Sequence, residues 1–101
     1  MDAFELKLCR LCISEDHQER NTLAIDLLDA ALTAPEKSTV LLPALFKAIT
    51  VHDFQQIGTL VWCAGHFDCS AYLAELHEIV LRGSFEASET AKQILADLSI
   101  S

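Results

Sequence analysis

The chain has 101 residues, which is one domain over 1–101 with little room for a second. Apolar residues make up 51% of it, too many for a disordered acidic tail, and three glycines and two prolines exclude collagen-like or linker-like chains. Seven Lys and Arg against fifteen Asp and Glu give a net charge of −8. That balance argues against nucleic acid as a partner, because binding phosphates needs cationic side chains, and it fits docking onto something basic.

The acidity is uneven. Residues 1–50 hold five Lys and Arg against eight Asp and Glu, and residues 51–101 hold two against seven. At the start, Asp2 and Glu5 stand where a secretory signal needs positive charge and then an apolar core. No run reaches the roughly 20 apolar residues that cross a bilayer. These features imply a cytoplasmic chain with no membrane partner.

Helical spacing recurs from end to end. Phe4, Leu8 and Leu11 are four and three apart and predict a first helix over 2–13. Ser14, followed by Glu15 and Asp16, reads as the cap of a second helix over 15–33, with the stripe Leu23, Leu27, Ala30/Ala31 and an end enforced by Pro35. A third helix over 39–51 carries Leu41, Leu45 and Ile49, with Pro43 early enough that its missing N–H costs little. Asp53 and Gln56 have capping-box spacing and open a fourth, over 54–65, with Phe54, Ile57, Val61 and Ala64 on one face. Asp68 caps a fifth over 69–82, with Leu73, Leu76 and Val80, and Ser84 caps a sixth over 85–98, with Ala91, Leu95 and Leu98. Gly65 and Gly83 sit where a helix can end in a left-handed residue. The fold class is therefore all-α. Six short helices with short loops pair as three antiparallel hairpins, over about 1–35, 36–67 and 68–101, in a HEAT-like (α-solenoid) stack. A compact six-helix bundle of the death-domain kind is the alternative.

The third hairpin and the helix before it carry distinctive text. It runs from Leu60-Val61-Trp62-Cys63 through Asp68-Cys69-Ser70 and Tyr72-Leu73 to Gly83-Ser84-Phe85-Glu86. Over residues 54–98 this resembles a group of small helical, HEAT-like proteins encoded with bacterial polymorphic toxins, where they act as immunity proteins. Some belong to contact-dependent growth inhibition systems. The resemblance implies a protein that binds the toxin domain of its own system and holds it inactive in the producing cell. Many such toxins are nucleases, which must present cations to phosphates. An acidic inhibitor can meet that surface, steer the encounter and block substrate entry.

Other chemistry has less behind it. Cys9-Arg10-Leu11-Cys12 is a C-x-x-C, and Cys63, His66 and Cys69 offer a second half-site for zinc. Cys9 and Cys12 fall within a helical stripe, however, and the second cluster has no tight knuckle, so the plainer reading is four buried apolar thiols. No βαβ pattern surrounds the C-x-x-C to suggest a redox site. His66 lies two residues from Asp68 at a helix-to-helix turn, where the aspartate is more simply a cap. Phosphate-binding glycine loops, H-E-x-x-H and G-x-S-x-G are absent from the sequence. Neither enzymatic activity nor a cofactor is expected.

The carboxylates are the better lead. Glu75 and Glu78 share a face of the fifth helix, Glu86 and Glu89 share one of the sixth, and Asp53 and Asp68 mark helix starts that a hairpin stack brings to one edge. These six are the expected toxin-binding acids. Trp62, the only tryptophan, falls on the shoulder of the Ile57/Val61/Ala64 stripe and joins them as an apolar anchor, with core packing as its plainer role. Phe85 poses the same question, with packing as the default. A general helical-repeat adaptor is the alternative function.

Overall fold

Six α-helices and two 3-10 turns account for nearly all of residues 2–51 and 57–100, which are the residues this computed structural model describes. The helices are α1 (Ala3–Ile13), α2 (His17–Thr33), α3 (Ser38–Val51), α4 (Gly58–Ala64), α5 (Leu73–Arg82) and α6 (Phe85–Ile100). The 3-10 turns are Pro35–Lys37 and Ser70–Tyr72. No strand occurs among the described residues, so the chain is all-α there. The expected cap Asp53 and the helix start at 54 lie outside them.

Local chemistry sets the helix ends and moves several from their expected positions. Asp2 caps α1, its Oδ1 accepting the Glu5 N–H at 2.9 Å. Ser14 does not cap α2. It closes α1, donating its N–H to the Arg10 carbonyl at 2.8 Å, while its hydroxyl donates to Glu19. Asp16 caps α2 instead, accepting the Gln18 N–H at 3.0 Å. Pro35 ends α2 as expected, but the 3-10 turn it begins runs straight into Ser38. Pro43 is therefore the sixth residue of α3 and not part of its first turn, and it removes the helical bond to the Thr39 carbonyl.

The fifth helix also starts late. Asp68 accepts the Ser70 N–H at 3.0 Å and so caps the 3-10 turn. Tyr72, at φ −120° and ψ 28°, keeps regular helix from beginning before Leu73. Two contacts hold that segment off the helical path. The Tyr72 ring stacks on Phe46 with centroids 4.2 Å apart, and the buried Cys69 thiol donates to the Ala64 carbonyl at 3.1 Å. Ser84 caps α6, accepting the Ala87 N–H at 3.3 Å.

Neither Gly65 nor Gly83 is left-handed. Gly65 is right-handed helical at φ −64°, and Gly83 is extended at φ −74°, ψ 168°. Gly83 is required for room. Its N–H meets the Ile79 carbonyl at 2.7 Å, and a Cβ built on it would lie 2.7 Å from the same oxygen and 3.2 Å from the Ala87 Cβ.

The helices share one apolar core. Leu11, Leu27, Leu41, Leu45, Ile49, Ile57, Leu60, Val61, Leu76 and Ile79 are fully enclosed in it. Each such side chain contributes about 1.5–3 kcal/mol through apolar burial. The stripes of the first three helices, and Ile57, Val61 and Ala64 of the fourth, fall on this core, but those of the last two are rotated. Leu76 and Ile79 carry α5, leaving Leu73 exposed, and Ala87, Ala91 and Ile94 carry α6, leaving Leu95 and Leu98 half-buried. Helix α1 packs on α2 and α3, α2 on α3 and α4, α3 on α4, α4 on α6, and α5 on α6. The Cα trace measures 36 × 30 × 17 Å. The smallest dimension is a little more than the roughly 13–15 Å of two parallel helix layers, whose axes pack about 8–10 Å apart with Cα cylinders of about 2.3 Å radius.

The junction of α1 and α2 is polar. Arg20 is 2% exposed, donates from Nη1 to the Ser14 carbonyl at 2.9 Å, and has no ion pair among the described residues. Outside it, Arg10 Nη2 donates to both Glu19 oxygens at 2.9 and 2.7 Å. The Ser14 hydroxyl and then Arg10 hold the Glu19 carboxyl below its ordinary value.

Gly83→Ala should destabilise the fold by about 1–3 kcal/mol in urea titrations, the cost of overpacking against backbone. Gly58→Ala, where a Cβ makes only ordinary contact with Glu86 at 3.6 Å, should be neutral or stabilising. Because Glu19 is depressed on folding, its contribution is present above its unfolded value of 4.5 and is lost as pH falls below it. Glu19→Gln should therefore flatten the acid limb of a stability–pH profile while leaving the alkaline limb unchanged.

Candidate interaction surface

Helix α4 is seven residues long, and its Leu60, Val61, Cys63 and Ala64 are all buried. Trp62 points the other way and is 51% exposed, which sets aside its plainer role in the core. Its ring meets His66 edge-to-face, with centroids 4.5 Å apart and an interplanar angle of 77°. The His66 Nδ1 lies 3.1 Å from the Trp62 carbonyl, so an Nδ1–H tautomer donates there and holds the imidazole against the indole.

Beside Trp62 runs a groove of about 520 Å³. Helix α2 supplies Ile25 on one side, α4 supplies Gly58 and Trp62 as the floor, and α6 supplies Phe85, Glu86 and Glu89 on the other side. Phe85 is 80% exposed and is not packed in the core. The reason is register. With Ala87, Ala91 and Ile94 facing inward, the 100° turn per residue sends Phe85 to the opposite side of α6. Glu89 is paired with Lys92 at 3.0 Å, whereas Glu86 has no ion pair among the described residues. The acidic edge continues along α6 to Asp97, which shares a second groove with Trp62 and accepts from Gln93 Nε2 at 3.0 Å.

Of the seven expected binding residues, the groove gathers Trp62, Glu86 and Glu89. Asp68 lies elsewhere, beside Leu42, Phe67 and Tyr72, with its carboxyl held below the ordinary range by the Ser70 backbone and then side chain. Glu75 and Glu78 are on α5 and line none of these grooves, and Glu78 is paired with Arg82 at 2.5 Å. Asp53 lies outside the described residues. Ile25 and Phe85 are the large apolar groove residues that the sequence reading did not select, Phe85 having been given to packing by default.

The cysteines separate into two kinds. Cys63 and Cys69 are buried, and burial first, then nearby Asp29 and Asp68 respectively, pushes each thiol up to about 11. Cys9 is exposed and Cys12 half-buried, against the expectation of four enclosed thiols. This pair faces an apolar groove with Leu8, Ile13, Pro43 and Lys47, because α1 covers the core with Leu11 and leaves the adjacent faces open. Burial raises the Cys12 thiol, and Lys47 partly offsets the rise. Among the described residues no three His, Cys, Asp or Glu side chains are grouped to hold a metal ion, and none of their helices is long and apolar enough to cross a membrane.

Compared with known protein families, with characterised proteins and with solved structures, the chain matches none.

The thiols give a direct test of this geometry. Iodoacetamide at pH 8 should label Cys9 first and Cys12 more slowly, and should reach Cys63 and Cys69 only in denaturant, as read by peptide mass spectrometry. A raised thiol stays protonated and unreactive at that pH.

Proposed function

We propose that the chain is a non-catalytic protein-binding domain that docks a basic partner against the Trp62–Phe85 groove. The observation that carries this reading is the pair of exposed aromatic rings beside Glu86, a carboxylate with no ion pair among the described residues. Large exposed rings at a groove are the side chains that dominate binding hot spots. A net charge of −8 with an acidic edge on α6 suits a cationic surface and speeds its approach.

The helices, in this reading, form three hairpins stacked in a HEAT-like manner. The packing of α1 with α2, α3 with α4 and α5 with α6, together with α2 on α4 and α4 on α6, supports that arrangement. The partner is the toxin domain of a bacterial polymorphic toxin or contact-dependent growth inhibition system, and its activity is that of a nuclease. Support comes from the resemblance over 54–98, which includes the groove residues Trp62, Phe85 and Glu86. Inhibition is occlusion: the acidic groove covers the cations that the toxin needs for phosphates. The chain acts in the cytoplasm of the cell that makes the toxin.

An adaptor joining two host proteins is the second reading. The apolar groove beside Cys9 and Cys12, on α1 and α3, favours it by offering a separate contact surface.

Growth measurements decide between them. Co-expression with the toxin domain encoded beside this gene should restore growth that the toxin alone abolishes, and the adaptor would restore none. Against a purified toxin, Trp62→Ala should weaken binding by about 2 kcal/mol or more, mainly through faster dissociation. Glu86→Lys with Glu89→Lys should slow association roughly tenfold at low salt and reduce its salt dependence. The same reversal at Glu75 and Glu78, away from the groove, should change both much less.

A further inference from the structure

We infer that the groove between α4 and α6 is a receptor for a single arginine side chain projecting from the partner, with the guanidinium over the aromatic rings and against Glu86. The inference rests on the reading of this groove as the docking surface and names the chemical group that it takes.

Three features select that group. The floor and one wall offer two exposed rings, Trp62 and Phe85, and a tryptophan face is the best side-chain surface for a cation. A carboxylate is present beside them: Lys92 of the same helix takes Glu89 at 3.0 Å, and Glu86 has no ion pair among the described residues. Gly58 keeps the floor low beneath that carboxylate, since a Cβ there would come within 3.6 Å of Glu86 Oε2. A planar, weakly hydrated guanidinium stacks on a ring and donates two parallel hydrogen bonds to a carboxylate, whereas an ammonium is a compact, strongly hydrated point charge. The combination of flat apolar surface and a single acid at its edge therefore favours arginine over lysine. A neutral side chain of the same shape would leave Glu86 uncompensated.

Trp62 is the only tryptophan in the chain, so tryptophan emission reports the surroundings of that one ring. The experiment titrates the full chain with the N-acetyl methylamides of arginine, lysine and citrulline at matched ionic strength. The arginine derivative should give a saturable change in Trp62 emission, with the half-point for lysine at least threefold higher and no saturation with citrulline. Glu86→Gln, an exposed replacement whose fold is checked by circular dichroism, should abolish the preference for arginine over citrulline, while Glu75→Gln should keep it. Identical responses to all three compounds, or an unchanged preference in Glu86→Gln, would overturn the inference. No toxin enters the titration, so the two readings fail separately. An arginine response without rescue of growth removes the toxin and keeps the receptor, and rescue without an arginine response does the reverse.

Discussion

Helix α4 is less than two full turns of chain with α2, α3 and α6 packed against it. A helix enclosed on that many sides has one direction left for a large side chain, and Trp62 takes it. Much else depends on this enclosure. Leu60, Val61, Cys63 and Ala64 use the remaining faces to join the two layers, the Cys69 thiol is drawn onto the Ala64 carbonyl, and the chain then leaves through the 3-10 turn that Phe46 holds by stacking on Tyr72. The exposed indole is thus a consequence of how the core closes.

The enclosure also gathers the candidate site. Helix α6 packs on α4 and buries Ala87, Ala91 and Ile94, with Ile94 beside Gly65 at the end of α4. That orientation turns Glu86 and Glu89 to the rim of the same groove and sends Phe85 outward. Glu75 and Glu78 have the same three-residue spacing but stand on α5, which faces α6 through Leu76 and Ile79 and takes no part in the groove. Equal spacing on two helices did not make equal surfaces.

What the sequence made legible follows from which forces are local. Helix existence, the end at Pro35, the cap Ser84, and the core faces of the first three helices and of the described part of α4 follow patterns within a few residues, and these could be read directly, whereas the cap Asp2 was not read as one. Ser14 was misread because its hydroxyl had two possible duties, and Glu19 with Arg10 across the turn decided between them. The start of α5 moved because Tyr72 answers to Phe46, 26 positions away in the chain. On α5 and α6 the stripes were right at Leu76 and Ala91 and one position off beyond them, where Ile79 is buried in place of Val80 and Ile94 in place of Leu95. Phe85 was lost with that stripe, and Cys9 was assigned to the interior because an apolar neighbourhood in sequence was taken for one in space.

The pattern of neighbours carries one more consequence. Every substantial packing contact joins helices that are adjacent in the chain or separated by a single helix. A chain whose contacts are this local closes only short loops on the way to its native state, and helical folds of that kind assemble within about microseconds to milliseconds. Of the contacts that frame the groove, that of α6 on α4 comes last along the chain, and it brings Phe85 and Glu86 beside Trp62. The groove is in this sense a product of completion: a chain cut short before α6 would keep its tryptophan and most of its core, and would have no wall to set against it.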